Sequence, residues 1–311
     1  MAAAVEAMKM AFAQLATGEA VLPLRTVVAT PNGDGSLLLM PAFLSRGQQM
    51  GVKLLSLFPG NPGRGLPLIH ALMAVFDGET GRPLAVIDAG SLTAIRTGAA
   101  SGAATDLLAR SDAHTVAIFG AGTQGATQLE GVCAVRTISK AWVYDPLPAR
   151  AEAFAQAMRQ RLSVDLEAVS TPSEALAHAD IVCTATTSAT PVFRDGDLKL
   201  VVHINAVGAY TPSTREIPEE TVVRASVFVD QREASLAEAG DLLIPIQKGL
   251  IGPEHILAEL GELAAGIRPG RRGPGEITLF KSVGLAVQDV AAAWEVLKAA
   301  EHMQLGRRVA L

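Results

Sequence analysis

Sulfur and metal chemistry have little to work with in this 311-residue chain. Its two cysteines, Cys133 and Cys183, stand among apolar neighbours and show no ligand spacing. A disulfide framework is excluded, and both read as buried thiols of a reducing cytoplasm. His70, His114, His178, His203, His255 and His302 are scattered without metal-ligand spacing, so no metal site is expected. No stretch of about 18 or more uninterrupted apolar residues exists to cross a membrane, and the N-terminus shows no signal-peptide pattern. A net charge of −5 without a basic block argues against nucleic acid or an anionic membrane as partner. Internal repeats and low-complexity tracts are absent. What remains suits a soluble, cytoplasmic enzyme of two domains, since the length exceeds a usual single domain and 49% hydrophobic residues can fill sizeable cores.

The most informative stretch is Thr115-Val116-Ala117-Ile118-Phe119, which runs into Gly120-Ala121-Gly122-Thr123-Gln124-Gly125 and then a helical pattern. A buried strand feeding such a turn is the pattern that holds a dinucleotide. Gly120 makes the tight turn, Gly122 lets the backbone approach the pyrophosphate, and Gly125 lets the helix pack closely on the strand. The phosphates then meet unpaired helix N–H groups. A second apolar strand, residues 141–144, ends in Asp145, about 20 residues past the glycines, where an acid meets the ribose hydroxyls. A carboxylate there repels a 2′-phosphate and favours NAD over NADP. Arg150 lies close enough in sequence to soften that preference, and Asp145-Pro146 also suits a simple turn cap.

The rest of the chain divides by pattern. Residues 2–16 have helical spacing. Residues 22–29, 36–40, 51–58, 72–77 and 84–88 read as strands between Asn-Gly, Pro-Gly and Asp-Gly punctuation, which predicts a mostly antiparallel sheet. Residues 91–110 read as a helix rich in small side chains. Strands and helices then alternate at 115–119, 125–135, 141–144, 149–161, 181–185, 201–207 and 227–229, predicting a parallel sheet covered on both faces. A surface loop at 268–275 precedes a short strand at 277–280, and a last helix at 283–303 returns to the first domain. The expected class is α/β, with a Rossmann-type doubly wound sheet over 111–287. A split α+β substrate-binding and dimerisation domain is expected over 1–110 and 288–311.

Three cations look out of place. Strand alternation puts Lys53 on one face with Leu55 and Leu57, and Arg25 with Val27 and Ala29. Arg96 lies in a helix otherwise small enough for very close packing, with no acid at helical pairing distance. A buried cation needs an anion to offset its desolvation. A substrate carboxylate can supply it, gripped by planar guanidinium forks. Taken one at a time, each cation also fits an ordinary ion pair to a carboxylate distant in sequence. His203 reads as a core residue, Asp241 as a helix cap or site residue, and Asp289 as helix packing or a residue reaching the site; none of these is counted as catalytic.

Several segments recur together: Leu24-Arg25-Thr26-Val27-Val28, Met40-Pro41, Lys53 with Phe58-Pro59-Gly60-Asn61-Pro62, Leu92-Thr93-Ala94-Ile95-Arg96-Thr97-Gly98, Gly120 to Gly125, Ile204-Asn205-Ala206-Val207-Gly208, Ala239-Gly240-Asp241 and Phe280-Lys281-Ser282-Val283-Gly284. In this order they resemble the ornithine cyclodeaminase and mu-crystallin family over nearly the whole chain. The arginine-bearing small-residue helix and the late Ser-Val-Gly segment are the most specific elements, since general Rossmann proteins lack both. The resemblance implies a homodimer, an NAD(P) cofactor and a 2-amino or 2-imino acid substrate. It implies that Arg25, Lys53 and Arg96 bind that substrate, with Lys53 and Arg96 catalytic, while Asn205, Val207, Ser282 and Val283 lie near the nicotinamide. Thr97, Thr123, Gln124 and Thr184 complete the expected cofactor contacts, beside Gly120, Gly122, Gly125 and Asp145.

Two departures matter. Where cyclodeaminases carry an aspartate for the substrate's distal amine, this chain has Tyr210, and a phenol is not anionic at neutral pH. The family also usually has an extra segment before its first helix, whereas this chain starts within that helix, leaving open a different dimer edge or an incomplete start. The expected activity is therefore reduction of cyclic ketimine carboxylates, pyrroline-2-carboxylate to proline or piperideine-2-carboxylate to pipecolate. The alternatives are an alanine-dehydrogenase-like enzyme, an ornithine cyclodeaminase and a mu-crystallin-like ligand-binding protein. Because a proton is consumed with the hydride, mild acid is expected to favour reduction and high pH the reverse.

Overall fold

A computed structural model of the chain describes residues 1–309; positions 310 and 311, the end of the 288–311 stretch, lie outside the described residues. Two sheets organise it. Ala20–Val21, Ser36–Leu44, Gln49–Leu57, Ile69–Asp77 and Pro83–Asp88 pair in that order, with Thr26–Ala29 added on Ser36–Leu44, and every pairing is antiparallel. Period-two alternation gives this sheet two faces. Met40, Ala42, Leu44, Gly51, Lys53, Met73 and Val75 are buried, whereas Val28, Leu37, Leu72 and Val86 on the opposite face are exposed.

The single strand expected at 22–29 is corrected to two pieces. Pro23 stands between them, and a proline has no N–H to give to the ladder. All four residues of Thr26–Ala29 are exposed, so the burial expected for the Arg25 face does not hold.

The second sheet is parallel throughout, in the order Ile256–Glu259, Ser226–Val229, Thr278–Lys281, His203–Ala206, Ile181–Thr184, Thr115–Phe119, Lys140–Tyr144, Asp165–Ala168. The strand order reverses direction between Thr115–Phe119 and Ile181–Thr184, and ligands of open α/β sheets bind in the crevice at such a point. Edge strands Asp165–Ala168 and Ile256–Glu259, and helices of five to eight residues such as Glu219–Arg224, Arg232–Glu238 and Gly240–Gln247, are absent from the sequence reading. Such segments are too short for periodicity to register.

Three helices carry the site. Ala89–Leu108 starts two residues before the expected point because the Asp88 carboxylate accepts from Gly90 N (3.4 Å) and Ser91 N (3.0 Å), capping the first turn. It crosses the glycine-turn helix Thr123–Cys133 at backbone contact. A Cβ on Gly98 would stand 2.1 Å from Thr127 O, and one on Gly131 would stand 2.0 Å from Gly98 O. Only glycine permits that approach, which is what the small side chains are for. The closing helix is Ala286–His302, and it packs on Ser36–Leu44, Gln49–Leu57 and Ala89–Leu108.

Residues 283 and 284, expected to open the closing helix, form a loop with Ser282 instead. Asp230 is the reason: its Oδ2 accepts from Ser282 Oγ (2.9 Å), Val283 N (2.9 Å) and Gly284 N (2.8 Å), and Gly284 takes a left-handed φ of 85°. The loop at 268–275 is not wholly at the surface either. Arg271 turns inward and donates to Leu108 O (2.7 Å), the end of the small-residue helix, and to Thr278 Oγ1 (3.0 Å). One apolar core joins the antiparallel sheet to these helices and reaches Phe228 and Phe280 of the parallel sheet; two further cores cover the parallel sheet's faces. Among the described residues, no helix is long and apolar enough to cross a membrane.

Candidate active site

Lys53 lies between Met40 and Met73 on neighbouring strands, with its side chain almost wholly buried. Its Nζ is 2.7 Å from Asp289 Oδ2, on the closing helix. Arg96 reaches the same carboxylate, Nε to Oδ1 at 3.1 Å, and donates from Nη1 to Gln288 Oε1 at 3.0 Å. For Arg96 the alternative of an ion pair to a carboxylate distant in sequence holds: its partner lies 193 residues along the chain, one turn into the last helix. Asp289, left out of the catalytic set on sequence, is the hub of the cluster. Arg25 is paired as well, Nη2 to Glu238 Oε2 at 2.9 Å, and is only partly buried.

Electrostatics follow from this arrangement. Burial pushes the Lys53 pKa down from 10.5, Asp289 opposes the shift, and Arg96 and Arg25 both lie close enough to add to it. Burial pushes Glu238 up, with Arg25 opposing. Three cations share two carboxylates, so the cluster carries one positive charge in excess. The Ser282-Val283-Gly284 loop closes over Arg96: a Cβ on Gly284 would meet Arg96 Nη1 at 2.7 Å.

The dinucleotide turn lies in the crevice of the parallel sheet. Gly120 has φ 99° and donates to Tyr144 O (2.9 Å), Gly125 would strike Gly120 O at 2.1 Å if it carried a Cβ, and Gly122 faces open space. The helix that follows has no side-chain N-cap, so its first N–H groups are free for an anion. Beside it is a cavity of about 500 Å³ whose lining includes Gly120, Gly122, Asp145, Arg150, Thr186 and Ser188. Asp145 Oδ2 accepts from Ala121 N (3.0 Å) and Oδ1 from Leu147 N (2.9 Å), so it caps the turn and braces the glycine loop together. These residues fit a dinucleotide.

Not every expected contact faces that cavity. Thr184 and Asn205 are wholly buried, and neither lines that cavity. Thr184 Oγ1 donates to Glu216 (2.9 Å), and Asn205 Nδ2 donates to Thr105 Oγ1 (3.0 Å) on the small-residue helix. Thr97 Oγ1 donates back to Thr93 O (2.7 Å). Thr123 is exposed on the first turn of the glycine helix, Gln124 follows it half-buried, and Val207 is half-buried past the end of its strand. His203 is a buried neutral ring, its pKa pushed down to about 3 by burial, held by Thr278 (2.9 Å) and Asn205 (3.2 Å). Burial holds Cys133 and Cys183 at about 11 and about 12, so neither is a thiolate at neutral pH.

A second charged cluster, missed on sequence, lies under the carboxyl ends of the neighbouring strands. Lys281 Nζ is 2.8 Å from Asp241 Oδ2 and donates to Ala209 O. Asp241 Oδ1 accepts from Glu216 N (2.7 Å) and Ile217 N (2.9 Å). Glu216 accepts from Thr186 N (2.7 Å), Gly208 N (2.7 Å) and Thr184 Oγ1, and burial pushes its pKa up. All three charged side chains are inaccessible to solvent. Asp241 carried the one usable signal, an acid directly after a glycine that opens a helix.

Residues 1–304 match the sequence profile of the Ornithine cyclodeaminase/mu-crystallin family. The chain belongs to that family. Within it, a Delta(1)-pyrroline-2-carboxylate reductase of Bacillus cereus is 37% identical over 301 residues, 96% of this chain and 92% of that protein. The solved structure of Thermococcus litoralis Delta(1)-pyrroline-2-carboxylate reductase in complex with NADH and L-proline is similar with a TM-score of 0.93 at 42% identity, covering 98% of this chain and 95% of that one. An archaeal alanine dehydrogenase dimer with bound NAD is similar with a TM-score of 0.91 at 35% identity, covering 99% and 94%.

Proposed function

We propose that this protein is an NAD(P)H-dependent reductase of cyclic ketimine carboxylates, with pyrroline-2-carboxylate going to proline as the leading reaction and NADH favoured over NADPH. The observation that carries the reading is the excess positive charge of the cluster of buried Lys53 and Arg96 with half-buried Arg25, Arg96 being borne by the helix that packs directly on the glycine-turn helix. A substrate carboxylate neutralises that excess, and bidentate contact with a guanidinium orients the ring. Gly120, Gly122, Gly125 and the first turn of the glycine helix would hold the pyrophosphate, Asp145 a ribose, and Val207, Ser282 and Val283 would line the nicotinamide end. When bound, the reduced cofactor supplies the hydride.

The chain's own part is the proton. Lys53 Nζ, with its pKa depressed by burial, gives a proton to the imine nitrogen and is recharged from solvent, which makes the ring carbon electrophilic. Asp289 keeps the Lys53 ammonium and the Arg96 guanidinium in register, so binding geometry substitutes for chance encounter. Residues 1–110 and 288–311 would form the substrate-binding unit and 111–287 the cofactor-binding unit, the whole acting as a cytoplasmic enzyme of proline metabolism.

We also infer a homodimer. The antiparallel sheet turns Lys53's face inward, yet its other face is apolar and exposed at Val28, Leu37, Leu72 and Val86. A monomer rarely leaves such a surface to water, and a second copy can cover it.

The experiment is NADH and NADPH oxidation near neutral pH with pyrroline-2-carboxylate and piperideine-2-carboxylate, against pyruvate plus ammonium and against ornithine. Turnover of the cyclic imines alone is expected. Turnover with only pyruvate and ammonium would move the assignment to an amino-acid dehydrogenase, the reading favoured by the likeness to the archaeal alanine dehydrogenase. Silence with all four while the cofactor binds would leave a ligand-binding protein.

A further inference from the structure

Glu216, Asp241 and Lys281 hold two carboxylates against one ammonium, all closed to solvent. Their position is specific. Glu216 accepts N–H bonds from Thr186 and Gly208, each two residues past the end of one of two adjacent strands, Ile181–Thr184 and His203–Ala206. Lys281 ends the next strand, Thr278–Lys281, and holds Ala209. Gly208 admits no other residue, because a Cβ there would stand 2.4 Å from both Glu216 Oε1 and Thr186 O. The cluster therefore sits under the carboxyl ends of the half-sheet across the switch point from the glycine turn. A dinucleotide lies across such a crevice, one mononucleotide on each half. With the phosphates and a ribose assigned to Gly120–Gly125 and Asp145, the nicotinamide belongs above Glu216.

We propose that Glu216 is an electrostatic positioning residue, whose buried negative charge stabilises the nicotinamide ring in its oxidised, positively charged form and so favours hydride release from the reduced form. The inference rests on the reductase reading for the presence of a nicotinamide. Loss of hydride turns a neutral ring into a cation, so a fixed anion below acts on one redox form and leaves the other alone. Solvent does not screen a charge enclosed in this way. The hydrogen bonds of Glu216 to Thr186 and Gly208 shape the floor for both forms equally, which separates the charge from the shape.

The test is equilibrium binding of NAD+ and of NADH to the full-length protein by calorimetry, without substrate. Glu216→Gln is expected to weaken NAD+ relative to NADH about tenfold, equivalent to about 30 mV for a two-electron couple. Glu216→Asp keeps the charge and is expected to weaken both forms in proportion. Lys281→Met removes the compensating cation and is expected to shift the ratio the other way, which covers the case in which Glu216→Gln fails to fold. A ratio unmoved in a folded Glu216→Gln or Lys281→Met variant overturns the proposal. If the unsubstituted protein binds neither form, the reductase reading itself falls, and the two failures are distinguishable.

Discussion

The molecule buries two charge clusters of opposite sign. Around Lys53, three cations share two carboxylates; around Lys281, two carboxylates share one cation. The first joins the antiparallel sheet to the small-residue and closing helices, and the second joins three strand ends of the parallel sheet. Burying a matched ion pair seldom adds stability, because desolvation consumes most of the attraction. An imbalance of one charge is costlier still, unless something that arrives later completes it. On the readings proposed above, each cluster is a socket whose missing charge names its ligand, a carboxylate for the first and a cationic ring for the second.

Removing Lys53 breaks the comparison most sharply. Lys53→Met is expected to lower kcat for imine reduction by about 10²- to 10⁴-fold, measured by NADH oxidation, with NADH affinity unchanged by calorimetry. The remaining Arg96–Asp289 pair is balanced, so the variant is expected to be no less stable than the parent. Asp289→Ala does the reverse: it strands two buried cations and is expected to cost about 3–5 kcal/mol in urea denaturation. An unchanged midpoint for Asp289→Ala would show that its carboxylate is not the anion both cations depend on.

The smallest effect separates the clusters by the sign of their pH response. Lys53 has a folded pKa below 10.5, so the unfolded chain binds more protons between those values, and stability rises with pH across that window. Glu216 has a folded pKa above 4.5; its contribution is complete below 4.5 and is lost as pH rises through the folded value. Denaturation midpoints at a series of pH values are expected to lose the alkaline rise in Lys53→Met and the acid-side fall in Glu216→Gln. A slope that survives its own substitution would assign that titration elsewhere.

How much of this was legible in sequence follows from chain separation. The glycine turn is local: the tight turn and the close packing predicted from spacing match a left-handed Gly120 and a crowded Gly125, and Gly122 faces open space. The oddness of Lys53 and Arg96 was legible because a charge on an apolar face violates a local rule. The partner was not, since Asp289 meets them only through the fold. Val283 and Gly284 fall outside the closing helix for the same reason: apolar spacing is local, whereas Asp230, which takes up their N–H groups, comes from another strand end. Exposure of the Arg25 face at Val27 was not legible because alternation reports two faces and says nothing of what covers each.

Asp289 also carries a consequence for how the protein is made. Synthesis delivers the N-terminal sheet and the small-residue helix long before the final helix leaves the ribosome, and domains begin to fold as they emerge. Until Asp289 arrives, Lys53 and Arg96 are cations without that counterion, and burying them costs free energy. A prematurely ended chain lacking the closing helix is accordingly expected to be unstable and to be cut faster by a protease than the full-length chain. The carboxylate that pairs Lys53 and Arg96 thus ties the stability of the first-made part of the chain to the last.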